Sequence, residues 1–244
     1  MIAARLPPLR QTALLLDLDG TLLDIAPTPD AVMVPPDLPD VLRTLRRMLD
    51  DAVAIITGRP VETIDALLGD IPFAVAGEHG AAIRHAPDQS LERPDLPAPP
   101  EHWISAVEAL VAAHPGALLE PKARGFSLHY RAVPLAQTAL RDGLTALLAG
   151  AGDFELLPGN MIWEVRPRGA NKGTAVVALM ERPPFRGRLP VFIGDDVTDE
   201  DGIAAAQALG GAGLRVQDLF VDAAGVRAWL GQVAKDAAWV ETCH

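Results

Sequence analysis

The sequence has few groups that could form covalent cross-links or bind a polyanion. It contains one cysteine, Cys243, in 244 residues, so neither a disulfide nor a cysteine zinc site can form within one chain. Acidic residues outnumber basic ones by 32 to 21, which gives a formal net charge of −11. Such a surface offers no broad basic face for a nucleic-acid backbone or an anionic membrane. We therefore expect a small-molecule partner, and neither nucleic acid nor a membrane.

Long apolar segments are also missing. No stretch approaches the ~20 apolar residues of a membrane-spanning helix, and residues 1–9 contain no apolar core of signal-peptide length. Together with the single cysteine, these features predict a cytoplasmic protein. Hydrophobic residues nevertheless make up 49% of the chain, which suffices for one large domain or two modest ones. We expect two.

The chain is organised around residues 13–21, which read Ala-Leu-Leu-Leu-Asp-Leu-Asp-Gly-Thr. The apolar run is typical of a strand that is buried on both faces, and Asp17 and Asp19 follow where that strand ends. In open α/β sheets, ligands bind at the carboxyl ends of the strands. Gly20 permits a sharp turn that directs backbone amides toward an anion. For this motif alone, a strand that runs into a solvated turn is the alternative.

Strand and helix patterns alternate through the first 85 residues. Apolar residues recur at helical spacing over 38–49, and a second buried strand covers 52–56. That strand ends in the polar segment 57–60, and a third short strand follows over 73–76. This succession of strand, helix and strand predicts a βαβ unit.

The composition changes between residues 85 and 100, which include five prolines and little hydrophobic pattern. Such a segment is typical of a surface linker. Helices and paired strands then follow and predict an α+β unit of ~80 residues. The alternation of strand and helix resumes at Lys172, with an acidic loop over 194–201.

The predicted fold class is therefore α/β, with a doubly wound parallel sheet as the core and an inserted α+β domain. The core is discontinuous and consists of residues 1–85 and 167–244. The inserted domain consists of residues 86–166.

Four polar clusters follow predicted strands or begin helices: Asp17 with Asp19, Thr57, Lys172, and the loop at Asp195. At one edge of a sheet they supply what phosphoryl transfer through an aspartyl phosphate requires. One carboxylate attacks phosphorus, and a second protonates the leaving alcohol and then deprotonates water. Mg²⁺ offsets the repulsion between carboxylate and phosphate, and a hydroxyl and an ammonium group bind the phosphoryl oxygens.

These clusters resemble, in order, the four motifs of the haloacid-dehalogenase phosphatase superfamily. The matching segments are Asp17-Leu18-Asp19-Gly20-Thr21, Thr57, Lys172 and Gly194-Asp195-Asp196. The resemblance implies that Asp17 is the nucleophile and Asp19 the acid/base, and that Thr57 and Lys172 bind the phosphoryl group.

The same resemblance implies a magnesium site. Asp17 and Asp195 would bind Mg²⁺ through their side chains and Asp19 through its backbone carbonyl. Asp196 would stand at the metal as well, and Asp199 would be a further supporting group beside it.

The spacing of the motifs leaves room for an inserted cap domain. Thr57 and Lys172 lie 115 positions apart, far more than one βα crossover uses. In this superfamily an insertion at that place is the larger α/β kind, which resembles the cap of sugar-phosphate phosphatases.

Further segments resemble the trehalose 6-phosphate phosphatase family, and the resemblance spans residues 14–209. They are Thr57-Gly58-Arg59, Gly77-Glu78-His79-Gly80, Glu120 and Lys122 with His129-Tyr130-Arg131, Trp163-Glu164-Val165-Arg166-Pro167, Asn171-Lys172-Gly173 and the acidic loop 194–201. The resemblance implies hydrolysis of trehalose 6-phosphate, and it suggests a trehalose-phosphate synthase of the same pathway as a partner. The implied substrate-binding residues are Arg59, Glu78, His79, Lys122, His129, Arg131, Glu164 and Arg166.

Strand alternation supports a sugar-binding surface without reference to any family. Ser127, His129 and Arg131 share one face of their predicted strand, and Glu164 and Arg166 share one face of theirs. Charged groups of both signs suit a glucosyl unit, because each can form charge-assisted hydrogen bonds to hydroxyl groups.

Alternatives stay open at this point. Arg59 could pair with Glu62, the charged residues of the inserted domain could be solvated or form ion pairs, and His129 could be structural. The substrate could be another sugar phosphate, such as sucrose phosphate or mannosyl-phosphoglycerate. A phosphoacceptor receiver domain and a non-catalytic sugar-phosphate sensor are the rival functions.

Overall fold

The computed structural model describes residues 6–122 and 124–242, and Cys243 lies outside the described residues. The strands are, in chain order, β1 (Thr12–Leu16), β2 (Val53–Ile56), β3 (Ala74–Gly77), β4 (Ala82–Arg84), β5 (Leu118–Lys122), β6 (Gly125–His129), β7 (Phe154–Gly159), β8 (Ile162–Pro167), β9 (Leu189–Gly194) and β10 (Ala212–Arg215). The α-helices are α1 (Leu38–Met48), α2 (Val61–Leu68), α3 (Glu101–Ala112), α4 (Gln137–Leu147), α5 (Lys172–Met180), α6 (Glu200–Ala208), α7 (Val216–Leu219) and α8 (Ala223–Asp236).

The chain folds into two compact units. The first contains the residues up to Arg93 and those from Asn171 onward, and the second contains residues Pro94–Ala170. The first has a six-stranded sheet of order β10-β9-β1-β2-β3-β4, and the second a four-stranded sheet of order β5-β6-β8-β7. The prediction of an α/β fold with a separate α+β part is confirmed.

Strand β1 lies in the middle of the larger sheet. Leu14 pairs with Val53 of β2 on one side and with Val191 of β9 on the other, and both pairings are parallel. Every residue of β1 is buried. Since a strand of this kind has no solvent face, its sequence is a continuous apolar run without alternation. The carboxyl ends of β1, β2 and β9 therefore meet at one edge, and the predicted motifs at Asp17, Thr57 and Asp195 follow them.

Helices of the first unit bury one apolar stripe each. In α1, Leu38, Leu42 and Leu45 are buried, which is the spacing of one helix face. Asp37 stands at the predicted N-cap position, but its side chain makes no capping hydrogen bond. Helix α1 packs against α8, and α5 packs against α6.

In the second unit, helices α3 and α4 contribute to a core on one face of the sheet. Trp103 and Val107 of α3 and Leu140 of α4 pack in one cluster with Phe126 and Leu128 of β6. All strand pairs of this sheet are antiparallel, so directly opposed residues share a face. The apolar face is thereby separated from the face that carries the charged residues.

The predicted linker divides between the two units. Residues 86–93 belong to the first unit, because Ile83 and Glu92 exchange backbone hydrogen bonds and Glu92 forms a bidentate ion pair with Arg182. Amino-acid composition does not indicate such pairings. The boundary between the core and the inserted domain is therefore predicted after residue 85, where the proline-rich segment begins. The catalytic and cap roles of the two units stay predictions.

Among the residues that the structure describes, no helix has both the length and the apolar character needed to cross a lipid bilayer.

We predict that burial in β1 carries much of the stability of the first unit. Leu15 has no exposed surface, so Leu15→Ala should lower the free energy of unfolding by about 2 to 5 kcal/mol. Met33, which is 82% exposed in the same unit, is the control, and Met33→Ala should change it by less than about 0.5 kcal/mol. Urea denaturation followed by circular dichroism measures both, and similar losses in the two variants would contradict the prediction.

Candidate active site

A buried lysine joins two carboxylates at the carboxyl edge of the larger sheet. Asp17 follows β1, and its N–H donates to the Ile193 carbonyl of neighbouring β9 at 2.9 Å. Lys172 is the first residue of α5, and its Nζ donates to Asp17 Oδ1 and to Asp199 Oδ1, each at 2.6 Å. Side-chain exposure is 5% for Asp17, 3% for Lys172 and zero for Asp199. Lys172 lies 155 positions after Asp17 and 27 positions before Asp199 in the sequence, and the fold brings the three residues together.

The local charges shift the ionisation of this group. Burial, together with the charge of Asp199, raises the pKa of the Asp17 carboxyl well above its usual value, although Lys172 acts in the opposite direction. Burial lowers the pKa of Lys172, but the charges of Asp17 and Asp199 outweigh it and the pKa lies above its usual value. Lys172 therefore stays charged, and it only partly offsets the carboxylates around it.

Asp17, Asp195 and Asp199 form a compact carboxylate cluster. One oxygen of each lies within 4.8 Å of the others. Burial and the charge of Asp199 raise the pKa of Asp195 to about 6, while a hydrogen bond from Thr21 Oγ1, at 3.2 Å, acts against this rise. Carboxylate oxygens are the ligands that Mg²⁺ prefers, and a bound cation would oppose these upward shifts. The residues therefore fit a divalent cation.

Within this cluster Asp199 has a supporting position. Its Oδ2 accepts hydrogen bonds from the backbone N–H groups of Asp195 at 3.1 Å and Asp196 at 2.9 Å, and its Oδ1 accepts from Lys172. Both oxygens are thus engaged in fixing the loop after β9 and the lysine. Binding of a cation through the side chains of Asp17 and Asp195 stays a prediction.

The side chains of Asp196 and Asp19 have other partners than those of Asp17 and Asp195. The Asp196 carboxylate accepts the N–H of Val197 at 2.6 Å and caps a short 3₁₀ helix, and it lies outside the three-carboxylate cluster found among the described residues. Its role at the metal stays a prediction. The Asp19 carboxylate accepts two hydrogen bonds from Arg59, at 2.6 and 2.8 Å.

Two glycines allow the loops of the site to approach each other. Gly20 has φ of +83°, a conformation that favours glycine, and a β-carbon there would collide with the Asp195 carboxylate. A β-carbon on Gly58 would meet the His79 ring. Thr57 directly follows β2 and is 1% exposed.

Glu78 and His79 lie in a strained turn after β3. Their φ angles are 52° and 55°, in the left-handed region, and both residues are buried. The Glu78 carboxylate pairs with Arg93 at 2.8 Å, and the Glu78 N–H donates to the Arg59 carbonyl at 3.0 Å. The turn is thus fixed to the loop that follows β2. Substrate binding by these two residues stays a prediction.

The predicted substrate residues of the second unit form ion pairs on one face of its sheet. Lys122 Nζ lies 2.8 Å from Glu164 Oε1, and the two side chains are only 7% and 4% exposed. Two more pairs and one hydrogen bond to a turn complete the set: His129 with Glu120 at 2.7 Å, Arg166 with Glu155 at 2.9 Å, and Arg131 with the Asn160 carbonyl at 3.1 Å.

Strand register explains this arrangement. Glu120, Ser127 and Glu164 stand directly opposite one another on β5, β6 and β8. The alternation in the sequence predicts the polar faces on which Ser127 and Glu164 lie, but not this pairing. Ion pairs among the charged residues of the inserted domain, which the sequence allows as an alternative to substrate binding, are present. Whether these groups bind a sugar stays a prediction.

Sequence reasoning did not include several residues among the site residues. Glu155 pairs with Arg166, Glu120 pairs with His129, and Thr21 binds Asp195. The alternation of Glu120 with Lys122 along β5 was an available signal for Glu120. No local pattern marks Glu155, because its relation to Arg166 depends on the pairing of β7 with β8.

Comparison with known proteins identifies the family of this chain. A family model described as trehalose-phosphatase matches residues 15–221. The probable trehalose-phosphate phosphatase of Sinorhizobium fredii is 42% identical over 205 residues, which cover 84% of this chain and 77% of the relative. The trehalose-6-phosphate phosphatase of Escherichia coli is 39% identical over 203 residues, 82% of this chain and 75% of the relative.

A third relative is named as a bifunctional enzyme with synthase and phosphatase activities. The bifunctional trehalose-6-phosphate synthase/phosphatase of Thermoproteus tenax is 35% identical over 201 residues, which cover 78% of this chain and 26% of the relative.

Solved structures agree on the fold. The C-terminal domain of C. albicans trehalose-6-phosphate phosphatase has a TM-score of 0.77 at 21% identity and covers 93% of this chain and 92% of that one. A haloacid dehalogenase-like hydrolase from Bacteroides thetaiotaomicron has a TM-score of 0.63 at 12% identity, with 91% and 99% covered. The chain belongs to the trehalose-phosphatase family.

Proposed function

We propose that this protein hydrolyses trehalose 6-phosphate to trehalose and phosphate. It is a phosphoric monoester hydrolase by family, and the relatives from Sinorhizobium fredii and Escherichia coli are named for this reaction. The observation that carries the mechanism is the position of Lys172, buried between Asp17 and Asp199 and next to Asp195. This group combines a nucleophilic carboxylate with a fixed positive charge for phosphoryl oxygens.

In the first step, one oxygen of Asp17 attacks phosphorus and the bond to the sugar oxygen breaks. The leaving oxygen takes a proton from the protonated Asp19 carboxyl, so trehalose departs as a neutral alcohol. Asp17 then carries an aspartyl phosphate. In the second step Asp19, now a carboxylate, accepts a proton from water as the water attacks phosphorus, and Asp17 is released with inorganic phosphate.

Lys172 and Thr57 bind the phosphoryl group during both steps. Lys172 already donates to Asp17, so it stands next to the position where the transferred phosphoryl group forms its new bond. The Thr57 hydroxyl, at the end of β2, is a donor for a second phosphoryl oxygen. Asp199 keeps Lys172 in place by a 2.6 Å hydrogen bond.

We propose Mg²⁺ as the cofactor, held by Asp17, Asp195 and the Asp19 backbone carbonyl. When bound, the ion offsets the repulsion between the Asp17 carboxylate and the negatively charged phosphate ester. The carboxylate cluster supports this assignment. Burial and the charge of Asp199 raise the pKa values of Asp17 and Asp195, and a bound cation would oppose both shifts.

We assign the sugar to the charged face of the second unit. Lys122 and Glu164 form a charged pair with little exposure to water, and Glu120 and His129 lie 2.7 Å apart on the same face. Charged groups form strong hydrogen bonds to hydroxyls. A trehalose-phosphate synthase remains the proposed protein partner, and its support is the name of the Thermoproteus tenax relative.

The test of the function is phosphate release from a panel of esters, with and without Mg²⁺. The panel contains trehalose 6-phosphate, sucrose phosphate, mannosyl-phosphoglycerate and glucose 6-phosphate. The highest kcat/KM is expected for trehalose 6-phosphate. A preference for another ester would overturn the substrate, and no release from any ester would overturn the hydrolase in favour of a receiver or a sensor.

Loss of the nucleophile should abolish the reaction. Asp17→Asn keeps the side-chain volume but removes the charge that attacks phosphorus, so phosphate release should fall by more than about 10⁴-fold. Steady-state assays with malachite green measure the loss, and circular dichroism checks the fold. A variant that retains activity within tenfold of the wild type would exclude a covalent step at Asp17.

Mg²⁺ should stabilise the folded protein through Asp195. A cation that binds only the native state adds about 2.7 kcal/mol at 100 times its Kd, so the Tm of the wild type should rise with Mg²⁺ at constant ionic strength. In Asp195→Asn most of this rise should disappear. The control is Asp40→Asn, since the Asp40 side chain is 86% exposed, and it should keep the full rise. An unchanged rise in Asp195→Asn would place the cation elsewhere.

Charged residues of the second unit should determine the kcat/KM for a sugar phosphate but not for a phosphate ester without a sugar. Glu164→Gln and Lys122→Met should each lower kcat/KM for trehalose 6-phosphate roughly ten- to a hundredfold, the cost of one charge-assisted hydrogen bond. A small aryl phosphate, which has no sugar, should be hydrolysed nearly as before.

The controls for these variants separate binding from folding. Asp142→Asn removes one partner of an exposed ion pair with Arg141 in the same unit and should change neither substrate. The double variant Lys122→Glu with Glu164→Lys exchanges the two charges and keeps the ion pair. It should restore the Tm to the wild-type value but should not restore the kcat/KM for trehalose 6-phosphate. Equal losses on both substrates would make the pair purely structural.

A further inference from the structure

We propose that Arg59 is a positioning residue for Asp19 and does not serve as a ligand of the substrate. The inference rests on the proposed function, since it takes Asp19 as the acid/base of the reaction. It replaces the role in substrate binding that the sequence predicts for Arg59.

The ion pair has the geometry that fixes a carboxylate. Arg59 Nε donates to Asp19 Oδ2 at 2.6 Å, and Nη2 donates to Oδ1 at 2.8 Å. Two parallel hydrogen bonds from a planar guanidinium fix the plane and direction of the carboxylate, which a single contact does not. The Arg59 side chain is 12% exposed and that of Asp19 is 34% exposed, so the carboxylate keeps an accessible side while its support is largely covered.

Arg59 is itself firmly anchored. Its backbone N–H donates to Thr57 Oγ1 at 3.2 Å, and its carbonyl accepts from the Glu78 N–H at 3.0 Å. Gly77 allows this approach, because a β-carbon there would lie 2.7 Å from the Arg59 carbonyl oxygen. The guanidinium therefore extends from a fixed loop after β2 to the loop after β1, which is 40 positions earlier.

A fixed orientation of Asp19 suits both halves of the reaction. In an in-line displacement the leaving oxygen and, later, the attacking water occupy the same side of phosphorus, opposite the Asp17 oxygen. Each Asp19 oxygen has a second lone pair beside the one that accepts from Arg59. A proton held there is donated in the first step and taken up again in the second, with one orientation of the carboxyl group. Since a misplacement of about 1 Å can cost about 10²-fold in rate, support of the carboxylate has a measurable effect.

The competing role, a direct contact with the substrate, has a different kinetic signature. Loss of a substrate ligand would raise KM, and the loss would persist in an enzyme that lacks the Asp19 carboxylate. Loss of a positioning residue would lower kcat, and the loss would vanish once that carboxylate is gone.

The experiment is a double-mutant cycle of wild type, Arg59→Met, Asp19→Asn and the double variant, assayed on trehalose 6-phosphate and on p-nitrophenyl phosphate with saturating Mg²⁺. For the sugar ester, Arg59→Met should lower kcat about 10- to 100-fold and Asp19→Asn about 10²- to 10⁴-fold. The double variant should match Asp19→Asn within about twofold. With p-nitrophenyl phosphate both single losses should be smaller, because its leaving group needs less protonation.

Two further variants remove the structural explanations. Arg84→Met breaks an equally bidentate pair, with Asp65 at 2.8 and 2.6 Å, and should leave kcat unchanged while it lowers the Tm as Arg59→Met does. Arg59→Lys keeps the charge without the planar fork, and it should retain less than about a tenth of wild-type kcat. If Arg59→Met does not fold, the cycle is run with Arg59→Lys.

The outcomes are distinct. Additive losses in the double variant, a rise of KM in place of a fall of kcat, or full activity of Arg59→Lys would overturn the positioning role while the wild type still hydrolyses both esters. A wild type that hydrolyses neither ester would overturn the proposed function itself.

Discussion

The site depends on one buried lysine that stands between two carboxylates. Isolated charges are costly to bury, and the removal of one partner from a buried ion pair costs about 3 to 5 kcal/mol. Lys172 is almost fully buried and bonds Asp17 and Asp199 at equal distances. It thereby ties the end of β1 and the loop after β9 to the start of α5. With Asp195 nearby, this group still has more negative than positive charge, which is the condition that attracts a divalent cation.

Much of the fold follows from local pattern. The run at residues 13–16 indicates a buried central strand because parallel sheets leave no solvent face, and β1 is fully buried. Asp17 and Asp195 come together because they follow the neighbouring parallel strands β1 and β9, whose carboxyl ends share one edge, and Lys172 reaches Asp17 from the start of α5. The linker is divided between the two units, since the pairing of Glu92 with Arg182 holds residues to the first unit without any sign in the composition.

The site was predictable in its residue types but not in its pairings. The ion pair of Arg59 with Asp19 is set by two loops that are distant in sequence, and the pairs of Lys122 with Glu164 and Arg166 with Glu155 are set by strand order. Alternation along a strand shows which residues share a face, but not which neighbour across the sheet each one meets. Asp199 illustrates the same limit, because an acidic residue near a helix start is common on electrostatic grounds alone.

The discontinuity of the first unit has a consequence for how such enzymes diversify. Every residue assigned to phosphoryl transfer lies in the two outer stretches of the chain, and the charged sheet face assigned to the sugar lies in the stretch between Pro94 and Ala170. Genetic changes confined to the middle stretch can therefore alter which ester is accepted without touching the reacting groups. A lineage could acquire a new substrate by replacement of that segment, while the chemistry is inherited intact on either side.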